Sequence, residues 1–305
     1  VSADAYRARA HYGAGALAWA QGDHTIARTH LEESRRLFEA AKQEHGMAST
    51  VTYLGVVALA LGEPQHAQNF CTQSVALMRS LGDRWGEAFA LYWLGEATLA
   101  LGDAATARTH YDQSLTLFRA IGDPWGAAIP LHALAGQAWK NGNYAQAHSL
   151  FQESGALSRE VGDKWGFARS LTGSAAAALH QGNTAQAKLL FAVTLSLWRE
   201  LGNRTGISRC MIGLAGVASA EGQLERAVRL LGAAETVRRA PFLAANDAQP
   251  TALFMLEAVD QDEFGRTLNA VRAQLDATKL AETWQAGQAL TLEAAINFAL
   301  DDGQI

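Results

Sequence analysis

Basic charge is scarce in this 305-residue sequence: 25 Lys and Arg stand against 30 Asp and Glu, for a formal net charge of −5. A nucleic-acid footprint needs the opposite bias, so no direct contact with nucleic acid is expected. Cysteine is nearly absent. Cys71 and Cys210 lie far apart, each inside an apolar helical pattern, and each reads as a buried thiol in a reducing compartment rather than as half of a disulfide. Only 5 prolines occur, which leaves long stretches open to helix. No apolar run approaches the ~18 residues that cross a bilayer, and the N-terminus lacks the basic-then-apolar layout of a signal peptide, so a cytoplasmic protein without membrane contact is expected. The chain opens Val1-Ser2-Ala3 without an initiator methionine and enters a helical pattern at once, as a fragment of a longer protein or a processed chain would.

Signals of chemistry are equally sparse. No glycine leads into Gly-Lys-Ser or Gly-Lys-Thr, so no phosphate-cradling loop is encoded. Nine histidines are present, but none pairs at His-x-x-x-His spacing with a supporting Glu or Cys cluster. His30 and His110 hold equivalent places in Ala27-Arg28-Thr29-His30-Leu31 and Ala107-Arg108-Thr109-His110-Tyr111, and their repetition favours a solvated helix face. Ser174 is near a glycine but in mid-helix, where a strained nucleophile turn cannot form. Acidic residues are scattered singly. A non-enzyme with no cofactor and no metal is the expectation.

What the sequence does have is a glycine clock. Gly22-Asp23, Gly62-Glu63, Gly102-Asp103, Gly142-Asn143, Gly182-Asn183 and Gly222-Gln223 recur every 40 residues. A second series runs half a period out of step: Gly82-Asp83-Arg84-Trp85-Gly86, Gly122-Asp123-Pro124-Trp125-Gly126, Gly162-Asp163-Lys164-Trp165-Gly166 and Gly202-Asn203-Arg204-Thr205-Gly206, with Gly46 as a weaker first member. Glycine past a helix end takes the left-handed conformation without steric cost, and a neighbouring Asp or Asn caps the next helix. Each repeat is therefore two helices. In the second, Ala27, Ala67, Ala107, Ala147, Ala187 and Ala227 are each followed four residues later by Leu31, Cys71, Tyr111, Phe151, Phe191 and Leu231. In the first, the small position is Gly15, Gly55, Gly95, Ala135, Ala175 and Ala215. Glycine in mid-helix costs about 1 kcal/mol against alanine, so its recurrence implies close approach of the paired helix. Trp85, Trp125 and Trp165 recur beside the turns, where packing between neighbouring repeats is favoured over ligand contact.

This arrangement resembles the tetratricopeptide repeat in a 40-residue form, over residues 1 to about 240: the small residue, the turn glycine seven residues on and the alanine five residues after that all match. The terminal proline of the shorter family form is absent, in keeping with longer second helices. The resemblance implies an all-α, right-handed superhelical solenoid of six helix-turn-helix repeats over 1–240, with a C-terminal helical cap over 241–305. It also implies that the first helices line a concave groove. Carried over by register, the groove positions are Arg9, Tyr12 and Trp19, then Phe89, Tyr92 and Glu96, then His132, Trp139 and Lys140, and finally Arg169, His180 and Arg209. Packing between helices is an equal reading for Trp19 and Trp139.

After Arg239 the period fails. Pro241 to Pro250 reads as irregular, and helical patterning resumes over Thr251 to Val259, again after a capping box at Asp260-x-x-Glu263, and from Thr291 to Leu300. Such a segment shields the last apolar face of a stacked array. The runs Arg226-Ala227-Val228-Arg229-Leu230-Leu231-Gly232-Ala233-Ala234-Glu235 and Trp284-x-x-Gly287-x-x-Leu290-Thr291-Leu292-Glu293-Ala294-Ala295-Ile296 resemble the C-terminal end of large bacterial ATP-binding regulators of the signal-transduction NTPase and LuxR type. That resemblance implies the repeat region of such a regulator. The expected partner is a peptide, a protein segment or the parent protein's own switch domain, acidic if Lys140, Arg169 and Arg209 share one face. A small-molecule inducer stacked on Trp139 and Tyr92 is the alternative.

Overall fold

The computed structural model describes residues 3–239 and 254–301 of the chain, and these form fifteen α-helices with no strand among the described residues. Six helical hairpins follow one another: α1 (Ala3–Ala20) with α2 (His24–Ala40), α3 (Glu44–Ala60) with α4 (Pro64–Ser80), α5 (Arg84–Ala100) with α6 (Ala104–Ile121), α7 (Pro124–Lys140) with α8 (Tyr144–Glu160), α9 (Lys164–His180) with α10 (Thr184–Glu200), and α11 (Arg204–Ala220) with α12 (Leu224–Arg239). Then come α13 (Phe254–Arg272), α14 (Ala277–Gln288) and α15 (Leu292–Leu300). The described residues form two compact units, 3–134 and 135–239 with 254–301.

The turns follow from their glycines. Gly22 has φ 85°, and its N–H bonds to Trp19 O while Asp23 N–H reaches back to Ala18 O at 2.9 Å, a closure that recurs at both turn series. One turn departs. Between α2 and α3 the left-handed residue is Lys42, φ 53°. Gly46, expected as the turn glycine there, lies inside α3 instead, and a Cβ on it would come within 2.5 Å of Phe38. The second glycine of each Gly-Asp-x-Trp-Gly motif is thus a packing residue in the first turn of the next helix.

The caps form in only some of the turns. Asp83, Asp163 and Asn203 accept from the N–H groups of Gly86, Gly166 and Gly206, and Asp103 from Thr106, with ψ between 80° and 100°. Asp23, Asn143 and Asn183 have ψ of 61° to 64° and make no such bond.

The small-then-large pattern is a packing contact across each hairpin. A Cβ on Gly15 would meet Leu31 at 2.7 Å, one on Gly55 would meet Cys71 Sγ at 2.5 Å, and one on Gly95 would meet Tyr111 at 2.5 Å. Where the small position is alanine, the room is made in the following repeat, with Gly173 against Phe151 and Gly213 against Phe191. Cys71 and Cys210 are both free and buried, and burial pushes the Cys71 thiol up to about 12. A further period-40 row lies at Ser34, Ser74, Ser114, Ser154 and Thr194, all fully buried. Ser34, Ser74 and Ser114 donate to the carbonyls of Ala8, Ala48 and Ala88, so hydroxyls tie one helix of a hairpin to the other.

Two expectations are corrected. His30 and His110 are half-buried rather than solvated: His30 Nδ1 is 3.0 Å from His11 Nδ1, and desolvation lowers the pKa of His110. They share their row with Phe70, Leu150, Leu190 and Leu230, and an apolar row is where a desolvated ring belongs. Nor does a helix begin after a capping box at Asp260, because α13 runs from Phe254 to Arg272 without a break. The expected irregular stretch 241–250 and the first residues of the helix expected from Thr251 lie outside the described residues.

The C-terminal helices belong to the second unit. Gly232 of α12 faces the backbone of Trp284, at 2.5 Å for a Cβ on Gly232, while Gly287 of α14 faces the carbonyl of Arg229. α12 and α14 therefore touch backbone to backbone, and the two runs Leu230-Leu231-Gly232 and Trp284-x-x-Gly287 are halves of one contact. Thr291 caps α15, and Arg226 donates to the carbonyls of Phe298, Ala299 and Asp301 at its other end. α13 packs on α11 and α12 and buries Val271 and Thr267 completely or nearly so.

Candidate recognition surfaces

In the first unit the first helices of the hairpins carry aromatic residues that touch in series. Tyr12 meets Tyr53 edge-on at 5.3 Å, Tyr53 meets Trp19 at 5.9 Å, and Trp19 meets Trp93 at 6.4 Å. Trp93 continues to Phe89 at 6.1 Å, Phe89 stacks on Trp85 at 5.2 Å, and Trp85 lies parallel to Trp125 at 6.5 Å and 7°. Burial raises the hydroxyl pKa of Tyr12 and of Tyr53, so both stay neutral. The series ends in the open, with Trp85 42% and Trp125 41% exposed. Trp85 is anchored across the turn, since its Nε1 donates to Asp123 Oδ2 at 2.8 Å and Asp123 also caps α7 through Gly126 N–H. Arg9 and Tyr12 line a cleft of about 220 Å³ together with Phe38, Gln43, His45 and Ser49.

The other expected positions of this unit are less open. Tyr92 is buried against Trp93 and Tyr111. Half-buried Glu96 accepts from the Tyr111 hydroxyl at 2.6 Å, and His132 is buried. Tyr53 and Trp93, which the family register did not mark, are central to the series; their shared place forty residues apart was the available signal.

In the second unit Trp139 and His180 are brought together. His180 stacks on Tyr144 at 4.7 Å and meets the edge of Trp139 at 4.6 Å. Glu263 of α13 accepts from His180 Nε2 at 2.7 Å, and Arg266 Nη1 approaches His180 Nδ1 at 2.7 Å. Arg169 lies over the Trp165 ring at 4.9 Å. Arg169 and Arg209 are each only 8% exposed, whereas Lys140 is exposed. The carboxylate at His180 comes from a helix that the repeat register could not mark.

Comparison with known proteins supports a repeat array of tetratricopeptide type. The tetratricopeptide repeat model matches residues 6–80 and 86–160. No curated protein matches the chain by sequence. Among solved structures, a Rap protein complexed with competence and sporulation factor is similar, with a TM-score of 0.62 at 15% identity over 90% of this chain and 75% of that one. BtubC (BKLC) from P. vanneervenii has a TM-score of 0.60 at 14% identity, covering 79% and 92%. Kinesin light chain TPR-like repeats of Podosopora anserina have a TM-score of 0.51 at 18% identity, covering 62% and 93%. At these identities the likeness is one of fold. No helix among the described residues is long and apolar enough to cross a membrane.

Proposed function

We propose that the chain is a non-catalytic recognition scaffold, the repeat region of a bacterial signalling or transcriptional regulator, which holds a peptide or partner segment on the first helices of its repeats. The aromatic series from Tyr12 to Trp125 carries this reading. Rings locked by their neighbours lose little entropy on binding, and aromatic and Arg side chains are the usual anchors of interfaces. The solved Rap protein of similar fold, which carries competence and sporulation factor, supports the same use. Arg169, over the Trp165 ring, together with Arg209 and Lys140, favours a partner with carboxylates. An array of acidic and neutral synthetic peptides, probed with the wild type, Trp125→Ala and the Arg169→Ala/Arg209→Ala pair, tests both parts. Loss of about tenfold or more in affinity with unchanged thermal melting is expected for each variant, the Arg pair acting on acidic peptides only; equal binding by all three proteins would refute the reading.

The ATP-binding parent and the small inducer stand further back. The similarity of the C-terminal runs supports the parent, and reading the open frame upstream of Val1 for an NTPase tests it. A sugar stacked on Trp139 and Tyr92 has little ring face to use, because both rings are buried against their neighbours. Calorimetric screening of metabolites tests that alternative.

A further inference from the structure

Glu263 presents its carboxylate to the repeats, and the repeats are shaped to receive it. Oε2 accepts from His180 on α9, and Oε1 accepts from Thr267 one turn along α13 at 3.2 Å. On α11 the facing residue is Gly216, where a Cβ would lie 2.5 Å from Glu263 Oε1 and 2.8 Å from Leu179. On the repeat side the histidine ring packs against Tyr144 and Trp139. Arg266, three residues after Glu263, donates to His180 Nδ1. An acceptor at Nδ1 leaves the proton on Nε2, the nitrogen that faces the carboxylate. A helix with Glu, Arg three residues on and Thr four residues on thus presents all three groups to one spot, and Leu268 and Val271 pack below them.

Closing the end of an array calls for apolar cover, which α14 supplies to α12 through the Gly232 and Gly287 contact. It does not call for a carboxylate, whose burial is costly unless the receiving surface pairs with it. We propose that the surface of α9 and α11 around His180 and Gly216 is a docking site for a helix bearing a carboxylate, with α13 as its tethered occupant. An external helix of the same chemistry, Glu-x-x-Arg-Thr followed by apolar residues, binds by taking the place of α13. This rests on the recognition-scaffold reading and names its partner class.

A tethered occupant acts as a competitor at high effective concentration, so the intact chain binds an external helix weakly until the occupant is loosened. The probe is a fluorescein-labelled peptide of residues 254–275, titrated by anisotropy into the full chain. Glu263→Ala in the chain is expected to tighten binding at least tenfold. Gly216→Ala also loosens α13, but it fills the seat and brings no gain, and a peptide whose own Glu263 is replaced by Ala gains nothing from either chain. On the wild-type chain, excess peptide should raise hydrogen exchange in residues 263–272 and leave α9 to α12 protected. Equal affinity for the three chains, equal binding of the two peptides, or exchange in α13 only when α9 to α12 also open would overturn the proposal. If Trp125→Ala still weakened peptide binding at the first unit in that case, the broader reading would stand without this one.

Discussion

Lys42 takes the left-handed conformation that glycine takes at ten other turns. Its side chain meets the following carbonyl, at a cost of roughly 1 kcal/mol that glycine avoids. Lys42→Gly should therefore raise stability by about 0.5 to 1 kcal/mol in urea melts, whereas the same change at half-buried Lys188, inside α10, should lower it. Ser114 illustrates the opposite case. It is fully buried and bonds to Ala88 O at 2.7 Å; that carbonyl keeps its helical partner in α5, so Ser114→Ala loses one buried hydrogen bond and should cost about 0.5 to 1.5 kcal/mol. His110 is a matter of sign. Desolvation lowers its folded pKa, so the unfolded chain takes up a proton near pH 6.5 that the folded chain refuses, and stability falls as pH drops through that range. Urea midpoints at pH 7.5 and 5.5 should differ less for His110→Leu than for the wild type. An unchanged difference would mean that the ring is not desolvated.

Whole elements were readable where composition repeats and hidden where it does not. The twelve repeat helices follow from glycine spacing alone, but α14 escaped a reading of residues 251–300 because its apolar residues Leu280 and Trp284 fall in a single short run with no periodic partner to compare. The supposed cap at Asp260 failed because a capping box is only four residues long and helix interiors also contain acidic pairs at that spacing. The site shows the same limit. The family register marked Trp139 and His180 but not Glu263, which arrives from 83 residues away in sequence. Burial raises the pKa of this carboxylate, yet the hydrogen bond from His180, with Arg266 and Thr267, outweighs it and holds the pKa below the ordinary carboxylate range. The stabilisation is therefore present above that range and lost as pH falls through the folded value. Hydrogen exchange of α13, corrected for intrinsic rates, should show protection falling between pH 5.5 and 3 relative to α12, with the decline flattened in Glu263→Gln.

At the scale of the molecule, the helices of the first unit touch mainly their sequence neighbours. In the first unit α1 packs on α2, α2 on α3, α4 on α5 and α5 on α6, with lesser contacts from α1 to α3 and α3 to α5. Stability in such an array is a sum of repeat terms and nearest-neighbour terms, so damage stays local at an end and spreads when it strikes the middle. Gly15 and Gly95 allow this to be tested with the same chemistry, because each faces a large residue of its partner helix too closely for any Cβ. A leucine at either position overpacks the hairpin by about 1 to 3 kcal/mol, a factor of roughly 5 to 150 in opening. Gly15→Leu should raise hydrogen exchange in residues 3–40 by that factor and leave α5 and α6 within about twofold of the wild type. Gly95→Leu should raise it in α5 and α6 and, through the contacts of α4 and α3 with α5, in residues 44–80 as well. A uniform rise across the unit for Gly15→Leu would mean that its hairpins open as one cooperative body, and the additive account of the array would have to be given up.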